Sequence, residues 1–150
     1  MKGKQHLLDL PGWTEEWMSV AYYIVLERKI AGFDDAVSGN AIGRAGELLE
    51  ALAKEASVKP LMEFFSASLD ELAGFAADHG INLKEKGVRL PAEQWFPAEQ
   101  GLKTVSALTD AVKSRAPERA NAILADLLDF KRVLEAARAN GVGWHLAVDY

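Results

Sequence analysis

The sequence predicts an α/β domain: a small mixed sheet of three strands covered by four helices, in the order β-α-β-α-α-α-β. Three observations lead there. Short segments rich in β-branched and aromatic residues stand at 18–26, 60–66 and 144–149. Between them lie stretches whose apolar residues recur at three- and four-residue steps, the period of a helix with one buried face. The joints carry cap and turn residues where one period gives way to the other.

The first strand, MSVAYYIVL at 18–26, is short and apolar on both alternating faces, which suits a buried strand. A buried helix over 14–30 is the competing reading. Gly32 to Asn40 is a loop, with Asp34, Asp35, Gly39 and Asn40 as turn formers. Residues 41–56 form a helix with Ile42, Ala45, Leu49, Leu52 and Ala56 on one face and Asn40 as its N-cap. Gly43 and Gly46 weaken its first turns by roughly 1 kcal/mol each relative to alanine, so close packing against a neighbour is expected there.

PLMEFFS at 60–66 is the second strand, opened by Pro60, whose missing N–H is tolerated at a strand's first position. Ser68 and Glu71 then make a capping box for a helix running to His79. Gly80 supplies the left-handed residue that ends it, and Ile81 the apolar contact after it. Residues 82–94 are polar and irregular. Pro97 opens a helix over 97–115 with Leu102, Val105, Leu108 and Val112 as its stripe. Pro117 opens the last helix, ending near Asn140, with Ile123, Leu127, Phe130, Leu134 and Ala137 inward and Leu124 and Leu128 widening the stripe. The short joint at Ala116 makes these two helices antiparallel neighbours. Gly141 stops the second of them. The final strand, 144–149, places Trp144, Leu146 and Val148 on one face and His145, Ala147 and Asp149 on the other.

Residues 18–150 therefore form one domain. Residues 1–17, with Gly3, Pro11, Gly12 and mixed charges, read as a mobile lead-in, as an upstream extension before a start at Met18, or as an arm that docks through Trp13 and Trp17.

Composition narrows the function. A chain of 150 residues with 49% hydrophobic and 26% charged residues can build one proper core. The absence of cysteine excludes a disulfide scaffold, a thiolate metal site and a cysteine nucleophile; the cytoplasm is the simplest location, with a cysteine-free periplasmic protein as the alternative. Seventeen basic residues against twenty-two acidic ones leave a net charge of -5, and no basic run could neutralise nucleic-acid phosphates. The longest apolar run, 20–26, has seven residues, whereas a membrane-spanning helix needs roughly 20. The expected partners are thus another protein or a second copy of this chain, with no nucleic acid and no membrane.

No strong catalytic motif is present. Gly39-Asn40-Ala41-Ile42-Gly43 lacks the Lys-Ser/Thr ending of a phosphate loop, and Ser66 and Ser68 stand outside any G-x-S-x-G elbow. His6, His79 and His145 have no metal-ligand spacing, and no cofactor or metal is expected. His79 at a helix C-terminus is explained by the helix dipole. The best constellation pairs Glu63, mid-strand, with His145, which shares one face of the last strand with Asp149. If the two strands pair suitably, a carboxylate beside an imidazole could do acid–base work, with Tyr22 or Tyr23 adding a hydroxyl. Trp95 and Phe96, at a helix entry, are either a hydrophobic staple or a recognition patch.

The stretches MSVAYYIVLERKIAGFD, KPLMEFFS, PAEQWFPAEQGLKTVSALTDAV and GVGWHLAVDY resemble a family of small bacterial proteins with no assigned activity. That resemblance implies a stand-alone cytoplasmic domain and nothing catalytic. In size and acidity the chain also resembles the small immunity proteins that neutralise bacterial toxins. Two functions are expected: a binding module docking a protein through Trp95 and Phe96, and, as the alternative, a small enzyme with a Glu63/His145 pair in a sheet-face pocket.

Overall fold

The computed structural model describes residues 21–78, 80 and 92–149. The expectations for 1–17, for the start of the first strand at 18–20, for His79 and Ile81, and for most of the irregular stretch at 82–94 lie outside them. Within them the fold is mixed α/β, with a sheet of two strands rather than three.

Strand β1 (Ala21–Leu26) pairs antiparallel with β2 (Trp144–Asp149), from Ala21 opposite Asp149 to Leu26 opposite Trp144. Alternation sends Tyr22, Ile24, Trp144 and Leu146 into the helical core, each 7% exposed or less. The segment expected as the second strand instead coils into a 3₁₀ turn, Leu61–Phe64. The Glu63 amide donates to the Pro60 carbonyl and the Phe65 amide to the Met62 carbonyl. The physical reason lies in the apolar spacing. Leu61 and Phe64 are the two residues the core takes up, and they stand three apart, the period of a 3₁₀ turn; a strand would have set Leu61 and Phe65 on one face with Glu63 between them. Only after the turn does the chain reach the sheet. Phe65 forms a single parallel bridge to Leu146, with the Ser66 N–H donating to the Leu146 carbonyl at 3.2 Å.

The first expected helix is two: α1 (Asn40–Arg44) and α2 (Gly46–Glu55), broken at Ala45. A Cβ at Gly46 would stand 2.8 Å from the Tyr22 hydroxyl, so the chain packs closely on β1 just after the break. The N-cap of α1 is Gly39, and no side chain of its own segment caps it. Asp126, from a helix more than eighty residues on, does so. Its carboxylate accepts from the Ala41 and Ile42 amides at 2.8 and 3.2 Å.

Helix α3 (Leu69–Asp78) has the expected capping box: the Glu71 amide donates to Ser68 Oγ at 3.1 Å and the Ser68 amide to Glu71 Oε1 at 3.0 Å. Gly80 follows at φ +70°, and Gly141 after the last helix at φ +65°, where glycine avoids the left-handed penalty. Helix α4 (Ala98–Arg115) starts just after Pro97. Helix α5 (Ala120–Ala139) starts three residues later than expected, because Pro117 accepts the Ala120 amide in a preceding turn and Arg119 takes a left-handed conformation.

These two long helices pack on each other and supply nearly half of the core: Ala98, Val105, Leu108 and Val112 from α4, and Ile123, Leu127, Phe130, Val133, Leu134 and Ala137 from α5. Leu128, expected to widen that stripe, is instead 67% exposed. Phe64 and Trp144 seal the core at the sheet with ring centroids 4.8 Å apart. No helix among the described residues is long and apolar enough to cross a membrane.

Candidate functional site

The face of the sheet turned away from α4 and α5 carries the chemistry. Strand alternation that buries Trp144 and Leu146 in the core puts His145 on this outer face, opposite Val25, with Tyr23 opposite Ala147 and Ala21 opposite Asp149. His145 is nonetheless 1% exposed. What covers it is a short extended strap, residues 92–97.

The strap is tied at three points. The Gln94 amide donates to Ser66 Oγ at 2.8 Å. Phe96 exchanges two backbone hydrogen bonds with Trp144, of 2.8 and 3.0 Å. Glu93 Oε2 lies 2.7 Å from His145 Nε2. Between the last two ties, the Trp95 ring lies over the imidazole, 4.8 Å between centroids at 38°.

The other imidazole nitrogen, Nδ1, lies 3.0 Å from the Leu146 carbonyl oxygen. A carbonyl and a carboxylate only accept. Both contacts are therefore hydrogen bonds together only when the ring carries two N–H groups and is a cation; a neutral ring donates to one of them and presents a lone pair to the other.

Trp95 also turns towards a cavity of about 450 Å³ at the N-terminal end of α4, lined by Glu27, Trp95, Pro97, Glu99, Arg138 and Gly143 among others. That volume lies within the range of ligand sites, roughly 300–1,000 Å³. The Gly143 amide donates to Glu27 Oε1 at 3.2 Å, fixing one wall. A wider hollow of about 630 Å³ borders α5, but Ser38, Asp126, Asp129 and Arg132 on its wall are already engaged within the protein. Asp126 caps α1, and Arg132 donates to the Asp34 and Ala36 carbonyls at 2.7 and 2.8 Å.

The expected site residues are distributed unevenly. Glu63 stands exposed on the 3₁₀ turn and makes no bond to His145; the acid that meets the imidazole is Glu93. Asp149 is exposed at the end of β2 and acts on Tyr23: burial first, then the negative charges of Glu71 and Asp149, push the Tyr23 phenol above its ordinary value. Tyr22 points into the core, 7% exposed. Phe96 packs edge-on against Phe64 at 5.3 Å, with Lys59 Nζ 4.5 Å from its ring centre. Trp95 faces the cavity and the imidazole. Glu93, Glu27 and Arg138 were not singled out in the sequence. Glu93 sits in a polar stretch without periodicity, and nothing local marks it. Among the described residues no three His, Asp or Glu side chains gather as a metal ion would require.

Compared with protein-family models, curated proteins and solved structures, the chain matches none of them.

Proposed function

We propose that this domain is a binding module that docks a protein partner at the cavity beside Trp95. The observation that carries the reading is the placement of Trp95: its ring is braced on one side by a buried imidazole and lines a cavity on the other. A rigid, part-exposed indole is the side chain that most often anchors a protein contact. Glu27 and Glu99 on the cavity wall, in a chain of net charge -5, suit a lysine or arginine of the partner lying over the indole. Such a cation–π contact contributes roughly 0.5–2 kcal/mol. Arg138, also lining the cavity, would orient the partner by taking one of its carboxylates or carbonyls. Neutralisation of a basic toxin is one form this reading takes.

The enzyme reading is the weaker one. Both nitrogens of His145 face acceptors within the protein and the ring is 1% exposed, which leaves no ring atom to meet a substrate.

The test uses a short lysine-rich peptide and its glutamate-rich counterpart, titrated into ¹⁵N-labelled protein. The lysine peptide is expected to shift the Trp95 indole N–H and the Glu99 and Gly143 amides. The glutamate peptide should not, and Trp95→Ala should abolish the shifts while the amide spectrum of α4 and α5 stays dispersed. Shifts confined to other surfaces, or none, would overturn the reading.

A further inference from the structure

We propose that Glu93 and His145 form a proton-operated latch that closes the 92–97 strap over the sheet and thereby sets the shape of the Trp95 cavity. The importance of that cavity rests on the binding reading above; the latch itself does not.

The strap contributes three cavity-lining residues, Trp95, Phe96 and Pro97, so its position defines one wall. Its backbone ties, Gln94 to Ser66 and Phe96 to Trp144, are neutral and do not respond to pH in the physiological range. The tie made by Glu93 differs, because its partner is an imidazole, a group able to take up and release a proton. With two protons on the ring, Nδ1 donates to the Leu146 carbonyl, Nε2 donates to the Glu93 carboxylate, and the cation lies under the Trp95 ring within cation–π range. With one proton, a lone pair faces an oxygen at 3.0 or 2.7 Å, and the attraction between opposite charges is gone.

The titratable groups of this face and its rim are Tyr23 and Glu27 on β1, Asp149 on β2, Glu93 on the strap, Glu71 on α3, and Glu99 and Arg138 at the cavity. These carboxylates outnumber the nearby cations, Arg138 and Lys59, the latter with Nζ 4.5 Å from the Phe96 ring centre. Only the ring with two N–H groups can donate to the Leu146 carbonyl and the Glu93 carboxylate together. The latch is therefore closed on the acid side and loosens on the alkaline side.

Residue-resolved amide hydrogen exchange, corrected for the intrinsic pH dependence of exchange, tests this without any ligand. Protection of the Gln94 and Phe96 amides should fall roughly tenfold or more between pH 5 and pH 8, the size expected for losing one charge-assisted hydrogen bond. Val105 and Leu134, deep in α4 and α5, should show no comparable change. His145→Gln should flatten the pH dependence at 94 and 96. Because His145 is buried, Glu93→Gln at the more exposed end of the pair serves as the second variant and should flatten it as well. Protection at 94 and 96 that is independent of pH, or a pH dependence that survives both substitutions, would overturn the latch. A peptide titration that fails while this pH dependence persists removes the binding reading alone; shifts at Trp95 with no pH dependence at the strap remove the latch alone.

Discussion

Asp126 offers the sharpest test of how the fold is held together. Its carboxylate is 6% exposed and accepts from the Ala41 and Ile42 amides, while the Ser38 hydroxyl also bonds it. Removing it by Asp126→Ala leaves α1 without a cap. The Ile42 amide belongs to a residue with no exposure and cannot turn to water, so that donor alone costs about 1–3 kcal/mol. Ala41 is half-buried and is partly rescued by solvent, adding about 1 kcal/mol. The expected loss is about 2–4 kcal/mol. Asp126→Asn keeps an acceptor oxygen and should cost about 1 kcal/mol or less at pH 7.

Charge separates the two variants further. Burial is the largest influence on Asp126 and raises its pKa above 3.8; the three hydrogen bonds pull it down, Asp129 nearby pushes it up, and the net shift is upward. A raised carboxyl pKa means that the folded state binds a proton the unfolded state has released. The group's contribution to stability is then full below the unfolded value and declines as pH rises through the folded one. The stability of the native protein minus that of Asp126→Asn should therefore fall from about pH 4 upward. Urea unfolding followed by far-ultraviolet circular dichroism at pH 4, 5.5 and 7 measures both effects. An alanine variant within 1 kcal/mol of the native protein, or a difference from the asparagine variant that grows in the native protein's favour as pH rises, would refute the reasoning.

Two further outcomes are expected. Gly101→Ala would place a methyl group 2.5–2.9 Å from three atoms of the buried Trp144 indole, so overpacking of about 1–3 kcal/mol should outweigh the roughly 1 kcal/mol that alanine adds to a helix; a raised melting temperature would contradict this. Arg132→Ala releases two carbonyls of the 34–36 loop and a ring contact with Phe33, and should speed limited proteolysis within 33–37, with lysine failing to rescue because it lacks the planar fork that reaches both carbonyls.

The sequence made local features legible and left remote ones hidden. The Ser68–Glu71 capping box, the left-handed glycines at 80 and 141, the stripes of α4 and α5 and the final strand all depend on residues a few positions apart. The 60–66 segment looked like a strand because its composition is apolar and aromatic. Its spacing of buried residues at Leu61 and Phe64 was the signal that should have outweighed composition. The cap on α1 could not be read from Asn40, because Asp126 supplies it from the other half of the chain. Leu128 reads as core by periodicity, yet α5 turns that position to solvent.

The site divides along the same line. That His145 would lie on the sheet face opposite Trp144 follows from alternation alone. Which acid would meet it depends on where a segment 52 residues earlier crosses the sheet, and no local pattern encodes that crossing. The Trp95-Phe96 pair is the instructive case. A staple and a recognition patch are competing readings of two adjacent aromatics only while their backbone is unknown. Once the strap is extended and Phe96 is locked to Trp144 by two hydrogen bonds, neighbouring side chains must point to opposite sides. Phe96 then packs on Phe64, and Trp95 is left over the imidazole at the cavity. The hydrogen bonds that anchor the strap in the core are thus what present the indole outward, so weakening the Phe96–Trp144 pairing should disturb the cavity.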